Sequence, residues 1–198
     1  DKSVKLPFKL NCPIDNIIID VGSKFYFIYK CLHFTPNTLT TISLILGLLA
    51  CFYFYKQYFI VAGILYFVSY CYDVLDGNYA RKYNMVSNFG DIYDHFKDVF
   101  VNIVLFFVFI KYSKLRNKVN LLIFLFLVTA ILFMFIIVNL GCKEVYASKN
   151  KKDTSNFLSF SKKFCSKKMY NNLKYVRFLS TGLFSLWITF LIILNKIF

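Results

Sequence analysis

The sequence has 198 residues, of which 58% are hydrophobic, 21% aromatic and only 17% charged, with a mean hydropathy of +0.56. A single domain of this length cannot cover so much apolar surface in water with so few charged side chains. A soluble fold is therefore excluded, and lipid is the solvent for much of the chain. The formal net charge of +14 does not point to nucleic acid, because the lysines fall on no soluble recognition motif. Membrane topology is the other explanation of that charge, and it predicts where the lysines sit. The chain starts at Asp1 rather than Met, which leaves room for sequence before it, and its first ten residues carry no apolar run of the signal-peptide kind. Cys12, Cys31, Cys51, Cys71, Cys142 and Cys165 are scattered with no CxxC pair. They read as reduced residues at mostly apolar positions rather than as a disulfide or metal framework.

In chain order, a polar and basic start gives way to Ile14, Ile17, Ile18, Val21, Phe25, Ile28 and Leu32, which recur at helical spacing. Asp15, Asn16, Asp20, Ser23 and Lys24 fall largely between them. The segment is too polar to span a bilayer and suits an amphipathic helix lying in the interface plane; a cytosolic helix packed on the rest of the protein is the alternative. Thr35-Pro36 reads as a helix start, with Thr as N-cap and Pro in the first turn, where its missing N–H is not needed. Apolar sequence follows to about Tyr55, close to the ~20 residues that cross a bilayer. Further spans run from Tyr58 towards Tyr79, from about Asp91 to Tyr112, from Val119 to Leu140 and from about Val176 to Ile193.

The expected fold is thus an all-α integral membrane bundle of about five spans plus the interfacial helix. It is one domain over 1–198, with an N-terminal segment 1–34, a four-span core 35–140, a basic loop 141–175 and a last span 176–198. Placing the loop between the second and third spans in the cytoplasm puts seventeen basic residues inside: five in the N-terminal segment, Arg81 and Lys82, and ten between Lys143 and Arg177. Six remain outside (Lys56, Lys111, Lys114, Arg116, Lys118, Lys196), with Lys97 left inside the third span, which fits the positive-inside rule. The basic loop then faces the anionic inner leaflet or is a solvated linker.

Ten acidic residues exist in all, and five are Asp73, Asp76, Asp91, Asp94 and Asp98, at the facing ends of the second and third spans. A charged carboxylate near the bilayer centre costs about 2.5–3.5 kcal/mol even on mild scales. With only Arg81, Lys82 and Lys97 nearby in sequence, nearby basic residues are not expected to neutralise them. Bound divalent cations, a water-filled cavity, or both are expected. Asp73 and Asp76 are three residues apart and share a helix face with Ala80; Asp94 and Asp98 are four apart, with Asp91 on their side. Two antiparallel helices joined at Lys82–Phe89 bring these faces together, and such hard oxygen ligands suit Mg²⁺ or Mn²⁺. Gly77 and Ala80 leave room for a ligand or for close helix packing.

The stretch DVLDGNYARKYNMVSNFGDIYDHFKD, Asp73 to Asp98, resembles the signature of the CDP-alcohol phosphotransferase family: Asp, two residues, Asp-Gly, two residues, Ala-Arg, eight residues, Gly, three residues, Asp, three residues, Asp. Asp73, Asp76, Gly77, Ala80, Arg81, Gly90, Asp94 and Asp98 meet all its fixed positions. Pro36-Asn37 and Thr40, opening the span before the motif, resemble the family as well. The resemblance implies an enzyme that makes a phospholipid by displacing CMP from a CDP-activated donor with an alcohol hydroxyl. It implies that Asp73, Asp76 and Asp94 hold a pair of divalent metals (Mg²⁺ or Mn²⁺) on the donor's diphosphate, with Asp98 as general base also bordering the metals. Gly77, Ala80 and Arg81 would receive the cytidine and phosphate, with Asn37 and Thr40 at the nucleotide's edge. The implied partners are the lipid bilayer, the CDP-linked donor and the alcohol acceptor, and a second copy of the chain by family analogy; nucleic acid is not among them.

Asp91 lies outside the pattern and reads either as an accessory ligand or, preferably, as a solvated acid favoured by the helix dipole. His95 either orients Asp94 or the substrate, or is a packed interfacial residue. The family usually shows six spans, and five are read here. Members acting on phosphorylated alcohols often carry a basic residue after the last Asp, where this chain has Val99. His95 and Cys12-Pro13-Ile14-Asp15 resemble the choline/ethanolamine branch, yet Phe96 stands where that branch has glycine. The donor (CDP-diacylglycerol or CDP-choline/ethanolamine) and the acceptor stay open. Two rivals share the acids: an intramembrane prenyltransferase, which usually has two separated Asp-rich motifs, and a non-enzymatic divalent-cation binder or transporter, which would place acids or broken helices at the midplane.

Overall fold

The structure is a computed structural model describing residues 5–113, 119–150, 152, 154–155, 157–171 and 173–197. Lys2, Lys114, Arg116, Lys118 and Lys151, counted above for orientation, lie outside these residues. The described chain is helical, without strands. Its elements are α1 (Pro13–Gly22), a 3₁₀ turn (Ser23–Phe25), α2 (Tyr26–Cys31), α3 (Pro36–Tyr55), α4 (Phe59–Lys82), α5 (Asn88–Tyr112) and α6 (Val119–Lys149). A 3₁₀ segment (Phe157–Phe164), α7 (Lys167–Asn171), α8 (Leu173–Val176) and α9 (Thr181–Leu194) follow.

α3 starts where its caps dictate. The Thr35 hydroxyl accepts from the Thr38 N–H at 3.2 Å, and Thr38 Oγ1 accepts from the Thr35 N–H at 3.3 Å, a reciprocal capping box. At its other end Gln57 takes a positive φ of 65°, which lets α4 turn back along α3. The two helices are pinned by a reciprocal pair: Ser43 Oγ donates to the Ser69 carbonyl at 2.8 Å, and Ser69 Oγ to the Ser43 carbonyl at 2.7 Å. Around this pair, Ala50, Cys51, Phe54, Phe59, Ala62, Tyr66, Val101, Leu105 and Ile192 form a core drawn from α3, α4, α5 and α9. Close approach of α4 to α9 rests on Gly63, where a Cβ would stand 2.6 Å from Ile193 Cγ1.

Among the described residues, four stretches are long and apolar enough to cross a membrane: Pro36–Tyr55, Phe59–Lys82, Val119–Lys149 and Leu173–Leu194. The third predicted span is α5, of spanning length at 25 residues, but its first half carries Asp91, Asp94, Lys97 and Asp98. Tyr53, Tyr55, Tyr58 and Tyr112 gather at the far ends of α3–α5, with Lys56 over the Phe52 and Tyr55 rings, an aromatic and cationic belt of the kind found at a membrane surface.

Two expectations need correction. α6 does not stop at Leu140 but continues to Lys149, because nothing in Gly141–Lys149 breaks a helix and the chain packs back on it. At 31 residues α6 is roughly 46 Å long, well beyond a ~30 Å hydrocarbon core. The stretch predicted as a basic loop is therefore largely ordered: the Phe157–Phe164 segment lies so close to α6 that a Cβ on Gly141 would stand 2.1 Å from the Ser161 carbonyl oxygen. That return also overturns the reading of all six cysteines as reduced. Cys142 and Cys165 form a disulfide with Cα atoms 5.0 Å apart, while Cys12, Cys31, Cys51 and Cys71 are free.

α1 buries Asp15, Ile18, Ile19 and Gly22 against α4 and α9. It and the following turn and α2 leave Ile17, Val21, Phe25, Phe27 and Ile28 exposed. That second apolar edge suits an element lying at a membrane surface.

Candidate active site

α4 and α5 run antiparallel and bring their polar ends together under the N-terminus of α3. The connecting turn contains Asn84 at φ 56°, and the Ser87 side chain caps α5 by accepting from the Gly90 N–H at 3.0 Å. On α4 the helical repeat sets Asp73, Asp76, Gly77 and Ala80 on one face; on α5 it does the same for Asp91, Asp94 and Asp98. Carboxylate oxygens of Asp73, Asp76 and Asp94 lie within 4.8 Å of one another. α3 closes over them: Thr40 Oγ1 donates to Asp76 Oδ2 at 2.6 Å, and Asp76 is buried.

A cavity of about 290 Å³ opens from this cluster. Its walls take in Asp73, Asp76, Gly77, Ala80 and Arg81 of α4, Asn37 and Thr40 of α3, and Gly90, Asp91, Asp94 and His95 of α5. Every residue singled out from the sequence lines this cavity except Asp98, which is outside the lining and the three-carboxylate group and joins the cluster through Lys97. Asp98 sits one turn further along α5 with its side chain half exposed. Gly90 is a close-approach position, since a Cβ there would stand 3.1 Å from both Asn37 Oδ1 and Ser87 Oγ. Asp91 is neither in the carboxylate group nor simply solvated: its Oδ2 accepts from Ser155 Oγ at 2.9 Å, tying α5 to the returning segment. His95 faces Asp91, with Nδ1 2.7 Å from the Asp91 carbonyl and 3.6 Å from its carboxylate.

The acids have a partner that was dismissed from the sequence. Lys97 is buried, and its Nζ contacts Asp73 Oδ1, lies 2.8 Å from Asp98 Oδ1 and 3.3 Å from Asp94 Oδ1, and donates to Ser43 Oγ at 3.3 Å. Lys97 offsets one of these charges and leaves the rest of the cluster's negative excess standing. The signal was present in the spacing: position 97 is three residues after Asp94 and so shares its helix face.

Sequence reasoning also missed the far wall, where Lys5, Asp15, Lys143 and Ser155 line the cavity. Lys5 pairs with the buried Glu144, which also accepts from the Ser155 N–H at 3.0 Å. Burial holds the Lys5 ammonium below the usual lysine range, against the opposing pull of Glu144. Lys143 stands 3.8 Å from Asp15, which accepts from the Tyr70 hydroxyl at 2.6 Å. These contacts depend on chain segments far apart in sequence. Behind the cavity, Tyr26 donates to Asn78 Oδ1 at 2.9 Å, and burial raises its phenol above the ordinary range, so it stays a donor.

An all-oxygen set of three carboxylates suits a hard divalent cation such as Mg²⁺ or Mn²⁺. The buried Asp94 Oδ1 makes no hydrogen bond among the described residues and has the Lys97 ammonium 3.3 Å away. Acids from two antiparallel membrane helices, converging beside an arginine at one end of the bundle, define a membrane protein with a carboxylate cluster that could hold a divalent metal.

Residues 33–197 match the CDP-alcohol phosphatidyltransferase family, and the chain belongs to that family, which is a family of enzymes. With its apolar helices this makes it an integral membrane protein. Among curated proteins it is similar to the archaetidylinositol phosphate synthase of Pyrococcus horikoshii, 47% identical over 60 residues, 30% of this chain and 32% of the relative. The matched part is thus about a third of that relative's length. No solved structure matches the chain. Membership of this family sets aside the prenyltransferase and cation-transport alternatives.

Proposed function

We propose that the protein is a phospholipid-synthesising transferase in which an alcohol hydroxyl attacks the phosphorus of a CDP-activated donor and CMP leaves. The observation that carries this reading is the convergence of Asp73, Asp76 and Asp94 within 4.8 Å on the floor of a cavity that Arg81 also lines. Held by those three carboxylates, Mg²⁺ or Mn²⁺ would supply charge neutralisation for the donor's diphosphate. Thr40 fixes the Asp76 carboxylate, and Arg81, always charged, pairs with phosphate oxygens. Gly77 and Ala80 present no bulk where the nucleotide approaches α4, and Asn37 borders the same space. Asp98, half exposed and one turn beyond Asp94, takes the hydroxyl proton as general base. A lipid substrate enters from the bilayer and the polar one from the water-facing end, for which the distribution of lysines favours the cytoplasmic side. The protein acts in the bilayer, as a homodimer by analogy with its family.

The donor and acceptor are to be named by experiment. The purified protein in lipid, with Mn²⁺ or Mg²⁺, is offered CDP-diacylglycerol with polar alcohols or CDP-choline and CDP-ethanolamine with diacylglycerol. Because the archaeal relative is named for an inositol phosphate product, and because Lys5 and Lys143 line this cavity, phosphorylated alcohols belong in the panel. Metal-dependent CMP release that is lost in Asp98→Asn supports the transferase reading. Folded, metal-binding protein that releases no CMP from any pair rejects it.

A further inference from the structure

Four carboxylates and one lysine share the buried end of α4 and α5, and they divide into two sides. Asp73, Asp76 and Asp94 face the cavity. Outside that lining, the Lys97 ammonium contacts Asp73, Asp94 and Asp98 together and is capped by Ser43 of α3. Only 2% of Lys97 is exposed, so its charge has no solvent to fall back on. A cation that bridges Asp73 and Asp94 to Asp98 occupies the space a second divalent ion would need, since paired catalytic ions sit about 3.5–4 Å apart and share carboxylates.

We infer that Lys97 is a built-in cation that takes the place of a second metal ion, so that the site binds a single divalent ion on its cavity side. Charge supports this division. The four carboxylates alone would need two divalent ions for neutrality, whereas with Lys97 present a single ion leaves only one negative charge. Geometry supports it as well: three carboxylates converge within 4.8 Å, while Asp98 lies outside that group and pairs with Lys97 Nζ at 2.8 Å. Lys97 is thus a positioning residue. It holds Asp73, Asp94 and Asp98 in register without contacting the cavity, and the Ser43–Ser69 pair that ties α3 to α4 holds it from behind.

This inference rests on the transferase reading only for the role of the bound ion; the ion count itself is independent of it. The test is a titration of Mn²⁺ into the purified full chain in detergent or lipid, counted by equilibrium dialysis and read by electron paramagnetic resonance. Wild type is expected to bind about one ion per chain with the spectrum of an isolated Mn²⁺, and Lys97→Ala about two with a spin-coupled spectrum. Lys97→Arg keeps the charge and is expected to stay at the wild-type count. Two coupled ions in the wild type overturn the inference, as does a folded Lys97→Ala variant that still binds one. The wild-type count decides even where a variant fails to fold. CMP release from the same preparations separates the two proposals: absent release with one ion bound rejects the transferase reading and leaves the lysine assignment intact.

Discussion

The Thr40 hydroxyl donates to the Asp76 carboxylate across 2.6 Å, from the second turn of α3 to a buried acid of α4. A helix that contributes no acid therefore sets the orientation of one. Thr40→Val keeps the shape and removes the donor. A hydrogen bond to a charged group contributes about 1.5–3 kcal/mol, so metal-dependent CMP release is expected to fall at least about tenfold, with Thr40→Ser restoring most of it. Steady-state kinetics on the three proteins check this, and equal activity in Thr40→Val would remove Thr40 from the site.

The two classes of acid separate by readout. Asp94→Asn removes a cavity-side ligand and is expected to lose Mn²⁺ binding and turnover together. Asp98→Asn is expected to keep Mn²⁺ binding while CMP release drops by about 10²–10⁴, the range for loss of a general base. Calorimetry beside activity distinguishes the two. Loss of metal binding in Asp98→Asn would show Asp98 to be a ligand rather than a base alone.

Gly77 offers a test of ligand space. A Cβ there meets the Arg81 guanidinium, with Nη1 nearest at 3.4 Å, an ordinary contact. Gly77→Ala is expected to fold at least as well as wild type, gaining about 0.5–1 kcal/mol of helix stability, while KM for the CDP donor rises. An unchanged KM would mean that the nucleotide does not approach α4 at this point.

The Lys5–Glu144 pair fastens the N-terminal segment to α6 at the edge of the cavity. Lys5→Met leaves Glu144 buried with only the Ser155 N–H in support, and removing one partner of such a pair costs about 3 kcal/mol. A lower unfolding temperature in detergent is the expected result. Lys5→Met combined with Glu144→Gln is expected to recover much of the loss, because no buried charge is then left alone.

What could be read from the sequence was local. Thr35-Pro36 announced the start of α3 because a cap and a first-turn proline are chemically specific. The acid faces followed from three- and four-residue spacing, and the family signature named them. What stayed hidden required distant segments to meet. Nothing near Cys142 tells it that Cys165 returns beside it, and the extension of α6 to Lys149 is secured by a segment packed on Gly141. Lys5, Lys143 and Ser155 enter the cavity only through that return. Lys97 is different: its spacing from Asp94 was legible, and a lysine counted as a lone intramembrane charge was in fact the cluster's own counter-ion.

α6 crosses the whole hydrophobic layer and then continues into the wall that carries Lys143 and Glu144. Because a helix longer than its membrane accommodates the mismatch by tilting, the angle of that wall to the carboxylate floor is set partly by how thick the surrounding lipid is. Thinner or thicker bilayers should therefore reshape the cavity without any change in the protein, making its geometry sensitive to the surrounding lipid.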